Sequence, residues 1–150
     1  MVPNDEVADA SDLERPAWQW VIIGASAIVV IWLPVAFVTA SLGKRMLEGA
    51  AGPEGASLVH TLALPGMNLA IFALAALAGG ALVGRFGGTA GPREATFAGL
   101  VTAASAWAMI ALPGAGLGLI AGALLLGLLS LVGALAARAG AALGLRARKP

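Results

Sequence analysis

The fold is decided by the stretch AWQWVIIGASAIVVIWLPVAFVTASL, residues 17–42, because it contains no charged side chain. A bilayer core of roughly 30 Å is crossed by about 20 helical residues, so this stretch is long enough to span a membrane with some tilt. Trp18 and Trp20 stand at its start, where indole rings favour the headgroup level. Pro34 lies inside it and removes one backbone hydrogen bond, which predicts a kink.

Three further apolar segments follow, at about 58–83, 95–112 and 117–137. Pro65-Gly66 interrupts the second near its start, and Pro113-Gly114-Ala115-Gly116 predicts a tight hairpin between the last two. Lipid offers no hydrogen bonds to an exposed backbone, so all of these segments are predicted to be helical. They are apolar on every face, which argues against a soluble bundle. The predicted fold is all-α: a polytopic membrane protein with four transmembrane helices packed as a small bundle within residues 17–139.

The composition agrees with this fold class and excludes several kinds of site. The 150 residues are 59% hydrophobic and 11% charged, whereas a soluble domain carries about 25% charged residues. The absence of cysteine excludes disulfide scaffolds, zinc ribbons and iron–sulfur sites, and a single histidine excludes a multi-histidine cluster within one chain. A net charge of +1 gives no reason to expect a nucleic-acid ligand. We expect no catalytic residues, no cofactor and no metal.

The distribution of basic residues predicts the orientation. An even number of helices puts both termini and the loop after the second helix on one side of the membrane. That side collects most of the positive charge, namely Arg15, Arg85, Arg93, Arg138, Arg146, Arg148 and Lys149, against Lys44 and Arg45 opposite. Because positive loops stay inside, we expect both termini to be cytoplasmic in a bacterial-type inner membrane. Residues 1–16 then form an acidic, disordered leader that is not a cleaved signal peptide, and residues 140–150 form a basic tail.

Two arginines are predicted to anchor helix ends at the interface, together with Trp18 and Trp20. Gly80-Ala81-Leu82 is followed by Arg85 at the end of the second segment. The fourth segment ends similarly, with Gly133-Ala134-Leu135 followed by Arg138. This echo would fit two hairpins in parallel repeat, as in some transporters, although short matches in so simple a sequence also arise by chance.

Small residues at four-residue spacing predict close helix packing, because they let backbones approach each other within lipid. We favour contacts inside the bundle over a designed dimer interface. The predicted packing residues are Ala76, Gly80, Gly84, Gly99, Gly114, Gly118, Gly122 and Gly127.

Polar residues inside the segments are few, and none of the four segments has an ionisable residue at its centre. This argues against a proton-coupled transporter built on a membrane carboxylate. A candidate polar path would consist of His60, Asn68, Thr102 and Ser105. The plainer interpretation is that His60 lies wetted at the outer interface and Asn68 bonds a nearby carbonyl.

The stretch Gly79-Gly80-Ala81-Leu82-Val83-Gly84-Arg85-Phe86, with the later helix opening Ala95-Thr96-Phe97-Ala98-Gly99, resembles a loose set of small four-helix bacterial membrane proteins of unknown function. The resemblance covers the middle third of the chain and implies no activity.

These observations favour a non-enzymatic accessory or assembly subunit of a larger membrane complex. Its partners would be membrane lipids and either other membrane-protein subunits or further copies of itself. The alternative is a small channel or facilitator formed by a homo-oligomer, and a weaker alternative is a membrane-perturbing effector.

Overall fold

The protein is described here by a computed structural model covering residues 16–50, 63–111 and 118–148, without the side chains of Lys44 and residues 46–50. These residues form four α-helices and no strand: α1 (Ala17–Ala50), α2 (Leu64–Phe86), α3 (Pro92–Ala111) and α4 (Leu119–Arg146). Each of the four is long and apolar enough to cross a membrane. The predicted fold class is therefore confirmed.

The helix ends differ from the predicted boundaries. α1 continues eight residues beyond the predicted end at residue 42, and it passes through Pro34 without ending. α2 begins at Leu64 within the described residues, so Pro65 lies in the first turn, where a missing N–H removes no helical bond. The stretch before it, through residue 62, lies outside the described residues.

The largest difference is at the end of α4. The prediction ended this helix at residue 137 because Arg138 looked like a terminal charge, but the helix continues to Arg146. Residues 140–146 of the predicted basic tail are therefore helical. They contribute small buried residues, Gly140, Ala141 and Gly144, to the bundle.

The turn between α2 and α3 is short and well bonded. Gly88 has a φ of 56°, a conformation that glycine adopts without strain. The backbone N–H of Gly91 donates to Glu94 Oε2 at 2.7 Å, so Glu94 caps the first turn of α3. The glycine-rich segment between these two helices is thus a turn.

α4 packs against α2 and α3, and α1 packs against the same two helices from the other side. The core between them consists mostly of alanine, with Phe72, Ile28, Val83 and Thr102 as its largest fully buried side chains. Trp32 meets Phe72 edge to face, with ring centroids 5.6 Å apart. Small side chains let the helices approach closely, and the few large ones fill the remaining centre.

Candidate functional site

The closest contacts in the bundle join the backbone of α4 to those of α2 and α3. A Cβ added at Gly80 would lie 2.7 Å from the Ala137 Cα, and one added at Gly84 would lie 2.7 Å from the Ala141 Cα. Ordinary van der Waals contact for such an atom is 3.4–4 Å. These positions therefore require glycine, and the paired residue numbers show that α2 and α4 run parallel.

α3 meets α4 in the same manner. A Cβ on Gly99 would collide with the Gly133 carbonyl group, and one on Gly133 would lie 2.8 Å from the Gly99 oxygen. Ala76 of α2 is fully buried. The predicted packing residues of α2 and α3 thus lie at helix contacts.

The glycines predicted to pack near the start of α4 do not all lie at helix contacts. At Gly118 and Gly127 an added Cβ would meet nothing within 4 Å, so neither glycine touches a neighbouring helix. Gly114 lies outside the described residues. Gly122 is buried, and its carbonyl accepts a hydrogen bond from Trp107 Nε1 at 2.8 Å. The close contacts of α4 are made instead by Gly133, Ala137, Gly140, Ala141 and Gly144.

The predicted polar residues are not brought together into one path. Thr102 is buried, and its hydroxyl faces the Ala98 oxygen at 2.9 Å and the Ala25 oxygen at 3.4 Å. Ser105 is exposed and donates to the Val101 oxygen at 2.9 Å. His60 lies outside the described residues.

Asn68 belongs to a different place, a cavity of about 620 Å³ at the end of the bundle where α2 begins. Its Nδ2 donates to the Leu64 oxygen at 3.1 Å, so the amide bonds a carbonyl of its own helix. The cavity walls are otherwise mainly hydrocarbon and include Trp32, Phe72 and Leu129. The Trp32 indole nitrogen is covered and has no hydrogen-bond partner among the described residues.

A groove of about 410 Å³ runs along the outer face between α1 and α3. Apolar side chains and three hydroxyl residues line it together: Ile22, Val30, Val101, Ser26, Thr102 and Ser105. Ser26 and Ser105 are exposed on a surface that is otherwise hydrocarbon. A groove of small polar and apolar residues can accept a further helix, because hydroxyls bond across helix interfaces within lipid. It is the candidate functional site.

The predicted anchors lie at one end of the bundle but at two depths. Trp18 is 60% exposed in the first turn of α1, and Trp20 packs partly against the core. Arg85 is exposed in the last turn of α2. Because Ala137 contacts Gly80, the exposed Arg138 is level with residue 81 and lies about one helical turn, roughly 6 Å, deeper than Arg85.

The difference in depth between Arg85 and Arg138 bears on the parallel repeat suggested by the sequence. The sequence similarity aligns Gly80 with Gly133, and aligned residues of a parallel repeat should lie at the same depth. Gly80 instead contacts Ala137, one turn further along α4. The two arginines are thus not equivalent anchors.

No group of three His, Cys, Asp or Glu residues that could hold a metal occurs within the described ranges. Comparison with known proteins finds no matching protein family, no matching curated relative and no matching solved structure.

Proposed function

We propose that this protein is an accessory or assembly subunit of a larger membrane complex, and that it binds a transmembrane helix of its partner in the groove between α1 and α3. The groove itself carries the proposal. It exposes the Ser26 and Ser105 hydroxyls where the surrounding surface is apolar. Such hydroxyls gain most from a facing helix that can bond to them, each bond contributing about 0.6 kcal/mol in a membrane bundle.

Packing elsewhere supports a docking role for this face. α2, α3 and α4 are held by backbone contacts that leave no room even for a methyl group. α1 contributes few buried residues, among them Gly24, Ala25 and Ile28. A partner that binds beside α1 would therefore cover the side of the bundle that has few buried residues.

The same proposal places the protein in a bacterial-type inner membrane with both termini in the cytoplasm. Arg85, Arg93, Arg146 and Arg148 lie at or beyond one end of the helices, and Arg45 lies in the last turns of α1 at the other. This bias supports the assignment because basic residues are retained on the cytoplasmic side.

In-cell photocrosslinking tests the groove directly. A photoreactive residue at position 105 should capture a defined protein, whereas the same residue at position 127, on an open face of α4, should not. Ser105→Leu should weaken co-purification of that protein in mild detergent, and Gly127→Leu serves as the matched control because nothing lies within 4 Å of its Cβ position.

The outcomes separate the hypotheses. A monomer that crosslinks nowhere and purifies alone would contradict the subunit role. Crosslinks to a second copy of the chain would instead favour the homo-oligomeric channel. In that case solute or ion flux into liposomes should fall in Asn68→Leu, whose polar group borders the large cavity.

A further inference from the structure

A second groove lies between α2 and α4 at the end of the bundle that carries the arginines. Its volume is about 470 Å³, and its lining consists of Ala78, Ala81, Leu82, Arg85, Phe86, Leu143, Gly144 and Ala147. The walls are thus hydrocarbon apart from one guanidinium. An occupant that matches this lining needs an apolar body and an anionic end.

A second guanidinium is fixed at the same end of α2 by bonds to backbone carbonyls. Arg148 Nε donates to the Arg85 oxygen at 2.7 Å, and Arg148 Nη1 donates to the Gly88 oxygen at 2.7 Å. The guanidinium carbon of Arg85 lies 5.6 Å from the centre of the Phe86 ring. Two positive side chains therefore lie at the C-terminal end of α2, and the two bonds of Arg148 use two of its five N–H donors.

The negative end of the α2 dipole stabilises positive charge here, but only by a fraction of one unit charge. In the part of the chain that the structure describes, the carboxylate at this end is Glu94, and it accepts the Gly91 N–H. No ion pair to Arg85 or Arg148 occurs among the described residues. The arginine pair is suited to an external anion, and guanidinium groups bind phosphate oxygens by paired hydrogen bonds.

We propose that this groove binds an anionic phospholipid, with its phosphate on Arg85 and Arg148 and an acyl chain along the groove. Free phosphate would satisfy the charges but would leave the apolar walls between Leu82 and Leu143 uncovered. A zwitterionic lipid would cover the walls but would bring no net charge. This site is separate from the groove between α1 and α3, which lies on the opposite side of the bundle.

Native mass spectrometry of the full chain in mixed micelles tests this proposal. The quantity measured is the binding constant for phosphatidylglycerol relative to phosphatidylcholine. Arg85→Gln should lower this preference about five-fold, the factor expected for one basic charge near anionic lipid. Arg45→Gln removes the same charge at the other end and should leave the preference nearly unchanged.

A second pair of variants tests the groove without changing any charge. Leu143→Trp should fill the groove and reduce lipid retention, whereas Leu131→Trp, at an exposed position of the same helix, should not. Equal losses in Arg85→Gln and Arg45→Gln, or no loss in Leu143→Trp, would overturn the proposal. Displacement of the lipid by millimolar inorganic phosphate would do so too. If Arg85→Gln changes the lipid preference only after residues 1–15 are removed, the acidic leader occupies the arginines in the full chain. That outcome would also overturn the proposal.

Discussion

The substitution Gly80→Ala tests the backbone contact between α2 and α4. The new Cβ would lie 2.7 Å from the Ala137 Cα and closer still to its carbonyl oxygen, against an ordinary contact of 3.4–4 Å. The helices would have to separate by about 1 Å, because the obstacle is backbone and has no other rotamer. Overpacking of this kind destabilises by about 1–3 kcal/mol.

Gly127→Ala is the matched control, since it adds the same methyl group to a helix position with nothing within 4 Å. Alanine favours helix over glycine by up to about 1 kcal/mol, and this gain applies to both variants and cancels in their difference. We therefore expect Gly80→Ala to unfold with a free energy about 2 kcal/mol lower than Gly127→Ala.

The assay is reversible unfolding in mixed micelles with increasing SDS, followed by tryptophan fluorescence. If both variants unfold at the same SDS fraction, the backbone contact of α2 with α4 is absent and the packing described above is incorrect.

Three further predictions concern single polar groups. Trp107→Phe should lower the free energy of unfolding by about 0.6–1.7 kcal/mol, measured in the same assay, because it removes the bond to the Gly122 oxygen. Thr102→Val should be destabilising by a similar amount through loss of the hydroxyl that faces Ala25, and Thr102→Ser should recover most of it; equal stability of the two would contradict this role. Asn68→Leu should change the stability by less than about 1 kcal/mol, because its amide bonds only its own helix, and a larger loss would reveal a partner beyond that helix.

The helices could be predicted from sequence because crossing a membrane constrains length and hydropathy directly. Their packing faces could not be read with equal certainty. In a water-soluble helix, the apolar stripe shows which face is buried, but here every face is apolar and the periodic signal is lost. Small residues then become the remaining guide, and with 21 glycines in the chain they indicate several faces at once.

α4 illustrates this ambiguity. Gly118 and Gly127 fit the spacing as well as Gly140 and Gly144 do, yet the second pair packs and the first does not. Which glycines pack depends on where α4 ends, and Arg138 led to a wrong prediction of that end. Its charge suggested a terminus, whereas the helix needs two further turns to place Gly140 and Gly144 against α2.

The candidate groove was beyond sequence reasoning for a similar reason. Ser26 and Ser105 are distant in the chain, and only the parallel packing of α1 and α3 puts them on one surface. The Trp107 bond to Gly122 likewise joins two helices whose rotation the sequence leaves open. A partial signal was present in the sequence, because Ser26 is the one hydroxyl residue between residues 17 and 38.

The depth of Arg138 has a consequence for the surrounding lipid. If Arg85 stands at the membrane interface, as expected of a helix-end arginine, Arg138 starts one turn inside the hydrocarbon, where a guanidinium is tolerated by stretching outward and by drawing water and lipid headgroups toward itself. The bilayer beside α4 should accordingly be thinner than the surrounding membrane. Local thinning favours residence in thin bilayers and attracts membrane proteins with short transmembrane helices. It would concentrate those proteins nearby without any direct protein contact.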